Sequence, residues 1–184
     1  EAPGGDGVDF LVGGLGNDSM FGGAGNDALQ GGFYAVTTGS GPTFFVTAES
    51  EFAGDDLFDG GGGFDTVSFG TGSIGTVIDL RITTAQNTGY GMDTFISVEG
   101  LTGTAVADTL TGNNDVNFLF GGFDSAQTGL NDDSLFGLGG NDLLTTGFGD
   151  HSVDGGNGID GYYITHSYQV ANGPALVPTG GSRI

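Results

Sequence analysis

The sequence predicts an all-β chain, a parallel solenoid of about eleven nine-residue half-turns, and three observations carry that prediction. A frame that opens on glycines, with an acid in sixth place and an apolar residue in eighth, can be laid on the chain eleven times. Its eighth position is apolar in every copy: Leu11, Met20, Leu29, Phe58, Val67, Leu110, Leu119, Leu135, Leu144, Val153 and Tyr162. Its sixth position is Asp9, Asp18, Asp27, Asp56, Asp65, Asp108, Asn117, Asp133, Asp142, His151 and Asp160, aspartate in nine of the eleven.

The frame has a physical reading. Glycine supplies the positive φ of a tight turn, and it bares carbonyls that can point at a hard cation. The three residues after the turn make a very short strand whose middle side chain points inward, so two units form one coil with strands on opposite walls. Eleven units stack to roughly 25 Å at the usual strand spacing.

The units follow one another as GGDGVDFLV from Gly4, GGLGNDSMF from Gly13 and GGAGNDALQ from Gly22, head to tail. Gly31 and Gly32 then begin a copy that is interrupted over residues 33–52 and completed at Ala53 to Asp59, and GGGGFDTVS from Gly60 ends a first block, 1–69. The interruption holds two β-prone runs, Phe33 to Thr38 and Thr43 to Thr47, joined by Gly39-Ser40-Gly41-Pro42, which predicts a projecting hairpin. Its aromatics would be costly to leave in water, so they are expected to pack on the roll or on a partner.

Residues 70–102 lie between the blocks, outside the eleven copies, and 74–82 and 93–99 alternate as strands, which predicts a connector that continues the roll. The second block, 103–163, runs through GTAVADTLT from Gly103 and GNNDVNFLF from Gly112. It then passes Gly121-Gly122, an insertion at 123–129 and LNDDSLF from Leu130, and closes with GLGGNDLLT from Gly137, TGFGDHSVD from Thr146 and GGNGIDGYY from Gly155. Residues 164–184 form a tail or cap. In the second block one outer wall presents Phe118, Phe120, Leu143 and Tyr163, an apolar stripe expected to be covered by the tail, by the 33–52 insertion or by another subunit.

On these residues the chain resembles the RTX (repeats-in-toxin) family of proteins exported by bacterial type I secretion. The resemblance implies a right-handed parallel β-roll with several calcium ions in its turns, each held between units n and n+2 by backbone carbonyls and sixth-position aspartates. Carried onto this chain, the first block's candidates are Gly5, Gly7, Asp9, Gly14, Gly16, Asp18, Gly23, Gly25, Asp27, Gly54, Asp56, Gly61, Gly63 and Asp65. The second block adds Asp108, Asp133, Gly140, Asp142, Gly156, Gly158 and Asp160. The candidate sites join Asp9 with Asp27, Asp18 with Asp56, Asp27 with Asp65, and Asp142 with Asp160. Where Asn117, His151, Val106 and Asp115 depart from the pattern, the turns are expected to be weak or empty. The phrase DTFISVEGLTGTAVADTL also resembles a connector that recurs between blocks in that family.

Charge sets what the chain can be. Only Arg81 and Arg183 oppose 23 carboxylates, for a net charge of -21, so the metal-free chain repels itself and the ion is expected to become part of the fold. The same charge excludes nucleic acid and anionic membrane surfaces as partners. No apolar run reaches membrane-spanning length, and Glu1 is preceded by neither methionine nor a signal sequence, as expected of a processed or truncated chain. Cysteine is absent, which removes disulfides.

Catalysis finds little to work with. There are two histidines, His151 and His166, no H-E-x-x-H, no G-x-S-x-G and no lysine. The two G-x-G-x-x-G matches, from Gly70 and from Gly156, are what 41 glycines produce by chance. The expected function is therefore non-enzymatic: a secreted, extracellular structural module, on a cell or virion surface, whose folding and assembly calcium triggers. Two alternatives stay open. One is a carboxy-terminal secretion and folding module of a larger enzyme, a protease, lipase or alginate epimerase; the other is a calcium-dependent adhesin.

Overall fold

The computed structural model describes residues 2–14, 16–31, 54–70, 72–122, 131–147, 149 and 151–164, and among them every regular element is a β-strand. The first half contains β1 (Ala2–Asp6), β2 (Phe10–Val12), β3 (Ser19–Ala24), β4 (Ala28–Gln30), β5 (Leu57–Gly62), β6 (Thr66–Ser68), β7 (Val77–Asp79) and β8 (Gln86–Asn87). The second contains β9 (Met92–Ile96), β10 (Gly100–Thr102), β11 (Thr109–Thr111), β12 (Phe118–Phe120), β13 (Ser134–Phe136), β14 (Leu143–Thr146), β15 (Ser152–Asp154) and β16 (Gly161–Ile164). No helix among the described residues is long and apolar enough to cross a membrane.

Strands consecutive in the chain fall alternately in different sheets, which is how a flattened coil forms. One seven-stranded parallel sheet runs β2-β4-β6-β10-β12-β14-β16. The strands between them belong to β1-β3-β5-β9, with β8 antiparallel on its edge, and to the parallel sheet β7-β11-β13-β15. The chain is thus an all-β parallel β-roll. Partners lie 18 residues apart where two units follow without interruption, 38 apart across 33–52 and 25 apart across 123–129. Both insertions therefore leave the frame unshifted, although the expected hairpin at 33–52, the loop at 123–129 and the tail beyond Ile164 lie outside the described residues.

Each strand carries its middle side chain inward. Met20, Leu29, Phe58, Val67, Leu110, Leu119, Leu135 and Leu144 are buried in one core that draws on all three parallel sheets. The column fails at its end: Val153 is only partly buried, and Tyr162 is 41% exposed on the last strand of its sheet, with its hydroxyl accepting the Gly155 N–H at 2.9 Å. The frame also misses inward residues, because Ile78, Phe95 and Leu101 are as deeply buried as any leucine in it.

These three come from residues 70–102, whose strands join the sheets. β10 pairs with both β6 and β12, and β9 pairs with β5. β7 pairs instead with β11, so the chain runs ahead to β7 and doubles back through β8 to lay β9 on β5. The strands are shorter than the alternation of 74–82 and 93–99 suggests. Asp79 ends β7 by taking the Arg81 N–H and guanidinium on its carboxylate and the Ile82 N–H on its carbonyl. Ser97, at φ 49°, turns the chain at the end of β9.

Candidate metal centres in the turns

The turns are built on glycines that only glycine backbone permits. Gly5, Gly7, Gly14, Gly16, Gly23, Gly25, Gly61, Gly63, Gly140, Gly156 and Gly158 all take positive φ, and a Cβ on Gly23, Gly25 or Gly63 would collide with the carbonyl stacked beneath it. Gly54 is not among the positive-φ residues, yet its missing side chain likewise makes room for the Gly16 carbonyl. The opening glycines Gly4, Gly13, Gly22, Gly60, Gly103 and Gly137 are different again: the absent Cβ leaves a hollow walled by a carbonyl and a carboxylate. A Cβ on Gly13 would sit 2.6 Å from the Gly31 carbonyl oxygen and 2.8 Å from Asp18 Oδ2, and one on Gly103 would sit 2.7 Å from the Gly121 carbonyl and 2.5 Å from Asp108 Oδ2.

Two ladders of sixth-position side chains run along the turns. In one, the N–H of Asp9 donates to Asp27 Oδ1 at 2.9 Å, that of Asp27 to Asp65 Oδ1 at 2.8 Å and that of Asp65 to Glu99 Oε2 at 2.9 Å. After a break it resumes from Asn117 to Asp142 and from Asp142 to Asp160, at 2.8 and 3.0 Å. In the other, Asp18 donates to Asp56 and Asp56 to Asp93, and then Thr76 to Asp108, Asp108 to Asp133 and Asp133 to His151 Nδ1. The fold so brings together Asp9 with Asp27, Asp18 with Asp56, Asp27 with Asp65, and Asp142 with Asp160.

One oxygen of each accepting carboxylate is thereby used, while Asp9 and Asp18 head their ladders as N–H donors alone. The second, Oδ2, is buried without a hydrogen-bond partner in Asp9, Asp18, Asp27, Asp65, Asp142 and Asp160. A buried anionic oxygen with no donor is costly, and it stays charged only if a cation or a proton meets it. Burial accordingly pushes Asp65 and Asp142 above the usual carboxylate range, and Asp56 to about 6. Among the described residues no three acidic or histidine side chains gather round one point, so main-chain carbonyls of the glycine turns must complete any coordination. Carboxylate and main-chain carbonyl oxygens suit calcium, which takes six to eight hard ligands in flexible geometry.

Other turns satisfy their acids internally. Asp93 Oδ2 accepts the Thr88 hydroxyl, and Asp108 Oδ2 accepts the Thr104 N–H at 2.7 Å together with the Thr104 hydroxyl. Asn117 Oδ1 accepts the Asn113 N–H, while its amide nitrogen donates to the Glu99 carbonyl. With its amide turned to face acceptors, Asn131 donates to Asp133 Oδ1 at 2.6 Å. His151, its side chain 3% exposed, stands in for an acid: Nδ1 caps the Asp133 N–H and Nε2 is left buried without a partner. Because Nδ1 accepts there, a neutral ring carries its proton on Nε2 and cannot offer that atom to a cation.

Asp93, Glu99 and Thr76 are ladder members that the eleven copies do not contain. Glu99-Gly100-Leu101 and Thr76-Val77-Ile78 keep the sixth-and-eighth spacing without the paired glycines, whereas the turn before Asp93-Thr94-Phe95 also keeps Gly89 and Gly91 in a copy that opens on Thr88, as the copy at Thr146 opens on threonine. The sequence profile of the RTX calcium-binding nonapeptide repeat matches the chain in four copies, over residues 3–33, 52–73, 101–125 and 127–162. These segments make up more than half of the chain. No curated protein matches the chain.

Proposed function

The chain belongs to the RTX calcium-binding nonapeptide repeat family, and on that premise we propose that it is a secreted structural module that extracellular calcium folds and readies for surface assembly. The observation that carries this reading is the set of six buried Oδ2 atoms without partners among the described residues, those of Asp9, Asp18, Asp27, Asp65 and Asp142 set against main-chain carbonyls across the glycine hollows. Asp9, Asp18, Asp27, Asp65, Asp142 and Asp160 would hold the ions, with Asp56 beside Asp18. Calcium would supply the charge that those oxygens lack. Its binding free energy then becomes folding free energy, with affinities of roughly 0.1 to 1 mM in extracellular modules.

Support for assembly comes from the outer face of β12, β14 and β16. Leu143 is 44% and Tyr163 65% exposed, and both are large apolar surfaces on one wall. Phe118 is half-buried and Phe120 buried, so the first two residues, not the phenylalanines, are the ones offered to a partner.

Sedimentation velocity in millimolar calcium and in excess chelator tests the reading. The expected result is an expanded monomer in chelator and a compact, associating species in calcium, with Leu143→Ser and Tyr163→Ser together abolishing the association and not the compaction. A chain equally compact in both buffers removes calcium from the folding; a compact chain that never associates removes the assembly.

A further inference from the structure

The six partnerless Oδ2 atoms are not spread evenly. Four lie between Asp9 and Asp65, two lie at Asp142 and Asp160, and none lies in residues 72–122. Within that middle stretch the same ladder positions carry Asp93, Asp108 and Asn117: Oδ2 of the two aspartates is met by Thr88 and Thr104, while the single oxygen of Asn117 accepts the Asn113 N–H and its amide nitrogen donates to the Glu99 carbonyl. A threonine hydroxyl there occupies the role that a cation would fill in the flanks.

Two further features separate the middle from its flanks. The roll's aromatic core is at the junction with the first block, where Phe58 stacks on Phe95 with ring centroids 5.2 Å apart and Phe69 lies 5.8 Å from Tyr90. The Tyr90 hydroxyl donates to the Ile74 carbonyl at 2.7 Å and accepts the Ile74 N–H, and the Thr76 hydroxyl donates to the Thr88 carbonyl at 2.8 Å. This cross-linked, apolar segment also has few left-handed turns: Gly89, Gly91 and Gly122 are its positive-φ glycines, whereas the flanks depend on them at nearly every unit. Ordering glycine costs more backbone entropy than ordering any other residue, so the flanks have more to offset.

We propose that the roll contains two kinds of turn, open ones that require a divalent cation and sealed ones that the chain closes with its own hydroxyls and amides, and that the sealed middle, residues 72–122, keeps its structure when calcium is removed. It is a built-in nucleus from which the flanks wind outward as calcium arrives. This rests on the reading that calcium folds the flanks.

Hydrogen exchange of the whole chain, read by mass spectrometry in millimolar calcium and in excess chelator, tests it. Chelation is expected to speed exchange by about a hundredfold or more in peptides from 19–31, 57–68 and 137–162, and by less than about tenfold in those from 92–120. Thr88→Val with Thr104→Val, which leaves Asp93 Oδ2 with no donor and Asp108 Oδ2 with the Thr104 N–H alone, is expected to bring the middle's loss in chelator up towards that of the flanks. Uniform exchange along the wild-type chain in chelator overturns the division and leaves calcium-driven folding standing. Protection unchanged everywhere overturns both, and a double variant that behaves as wild type overturns the role given to the hydroxyls.

Discussion

Asp27 accepts the Asp9 N–H on Oδ1 and buries Oδ2 with nothing to meet it. An asparagine there would keep the acceptor and remove the charge, so its effect should change sign with the solvent. In calcium, Asp27→Asn loses a ligand and is expected to raise the calcium concentration for half-folding. In chelator, with folding driven by an osmolyte, the same variant relieves a buried anion and is expected to gain about 1 to 3 kcal/mol. Titrations followed by circular dichroism check both arms, and a shift of the same sign in both contradicts the site. Protons act as calcium does. Burial raises Asp56 to about 6 and Asp108 to about 7, so the folded metal-free chain holds protons more tightly than the unfolded one. That contribution is fully present below the ordinary carboxylate value and is lost as pH rises through 6 to 7. The chelated chain is therefore expected to gain β structure as pH falls from neutrality to roughly 4, whereas in calcium the same descent weakens binding and raises the midpoint. The pairing of Asp9 with Asp27 was legible because two units make one coil and the family resemblance sets the turn of unit n against that of n+2. The pairing of Asp56 with Asp93 was missed, although Gly89 and Gly91 mark the turn before Asp93, because that copy opens on Thr88 inside a segment read as a connector.

Strands of three residues cannot stand alone, so what each element contributes is decided by the turn that delivers it. The turn before β14 departs from the rule. Leu138 holds φ at 76° in the place where Gly5, Gly14, Gly23, Gly61 and Gly156 take positive φ, and the Leu138 carbonyl packs under Gly156. A left-handed leucine costs roughly 1 to 2 kcal/mol, and its side chain is not part of the buried core. Leu138→Gly is therefore expected to raise the melting temperature in calcium, by an amount equivalent to about 1 kcal/mol after glycine's own entropy is set against the relief. A lower melting temperature would mean that the leucine holds the turn through contacts that outweigh its strain. The element order shows the limit of reading by period. Strands in framed segments follow one another up the roll, but β7 skips ahead to β11, because the 70–102 segment is joined by Tyr90, Thr76 and Thr88 contacts between residues far apart in sequence. Alternation marked those strands; only their side-chain bonding fixes their order.

Across the whole molecule, a net charge of -21 and a set of partnerless buried oxygens are separate obstacles, and they respond to different ions. Repulsion among 23 carboxylates is long-ranged and is screened by any salt, with a Debye length of about 10 Å at 0.1 M. An unmet Oδ2 in a glycine hollow is a local defect that screening does not reach. Raising potassium chloride to about 0.5 M in chelator is thus expected to contract the chain without producing the flanking strands. Magnesium should do little more, because it demands near-octahedral geometry, dehydrates reluctantly and so does not replace its waters with scattered carbonyls. Calcium alone should both contract the chain and order it. Hydrodynamic radius and circular dichroism, measured together in the three salts, separate the two obstacles. If potassium chloride restores the full strand signal, repulsion was the sole barrier and the turns need no ion. If magnesium restores it at the same concentration as calcium, the turns supply charge compensation without the coordination that the carbonyl and carboxylate pairs imply.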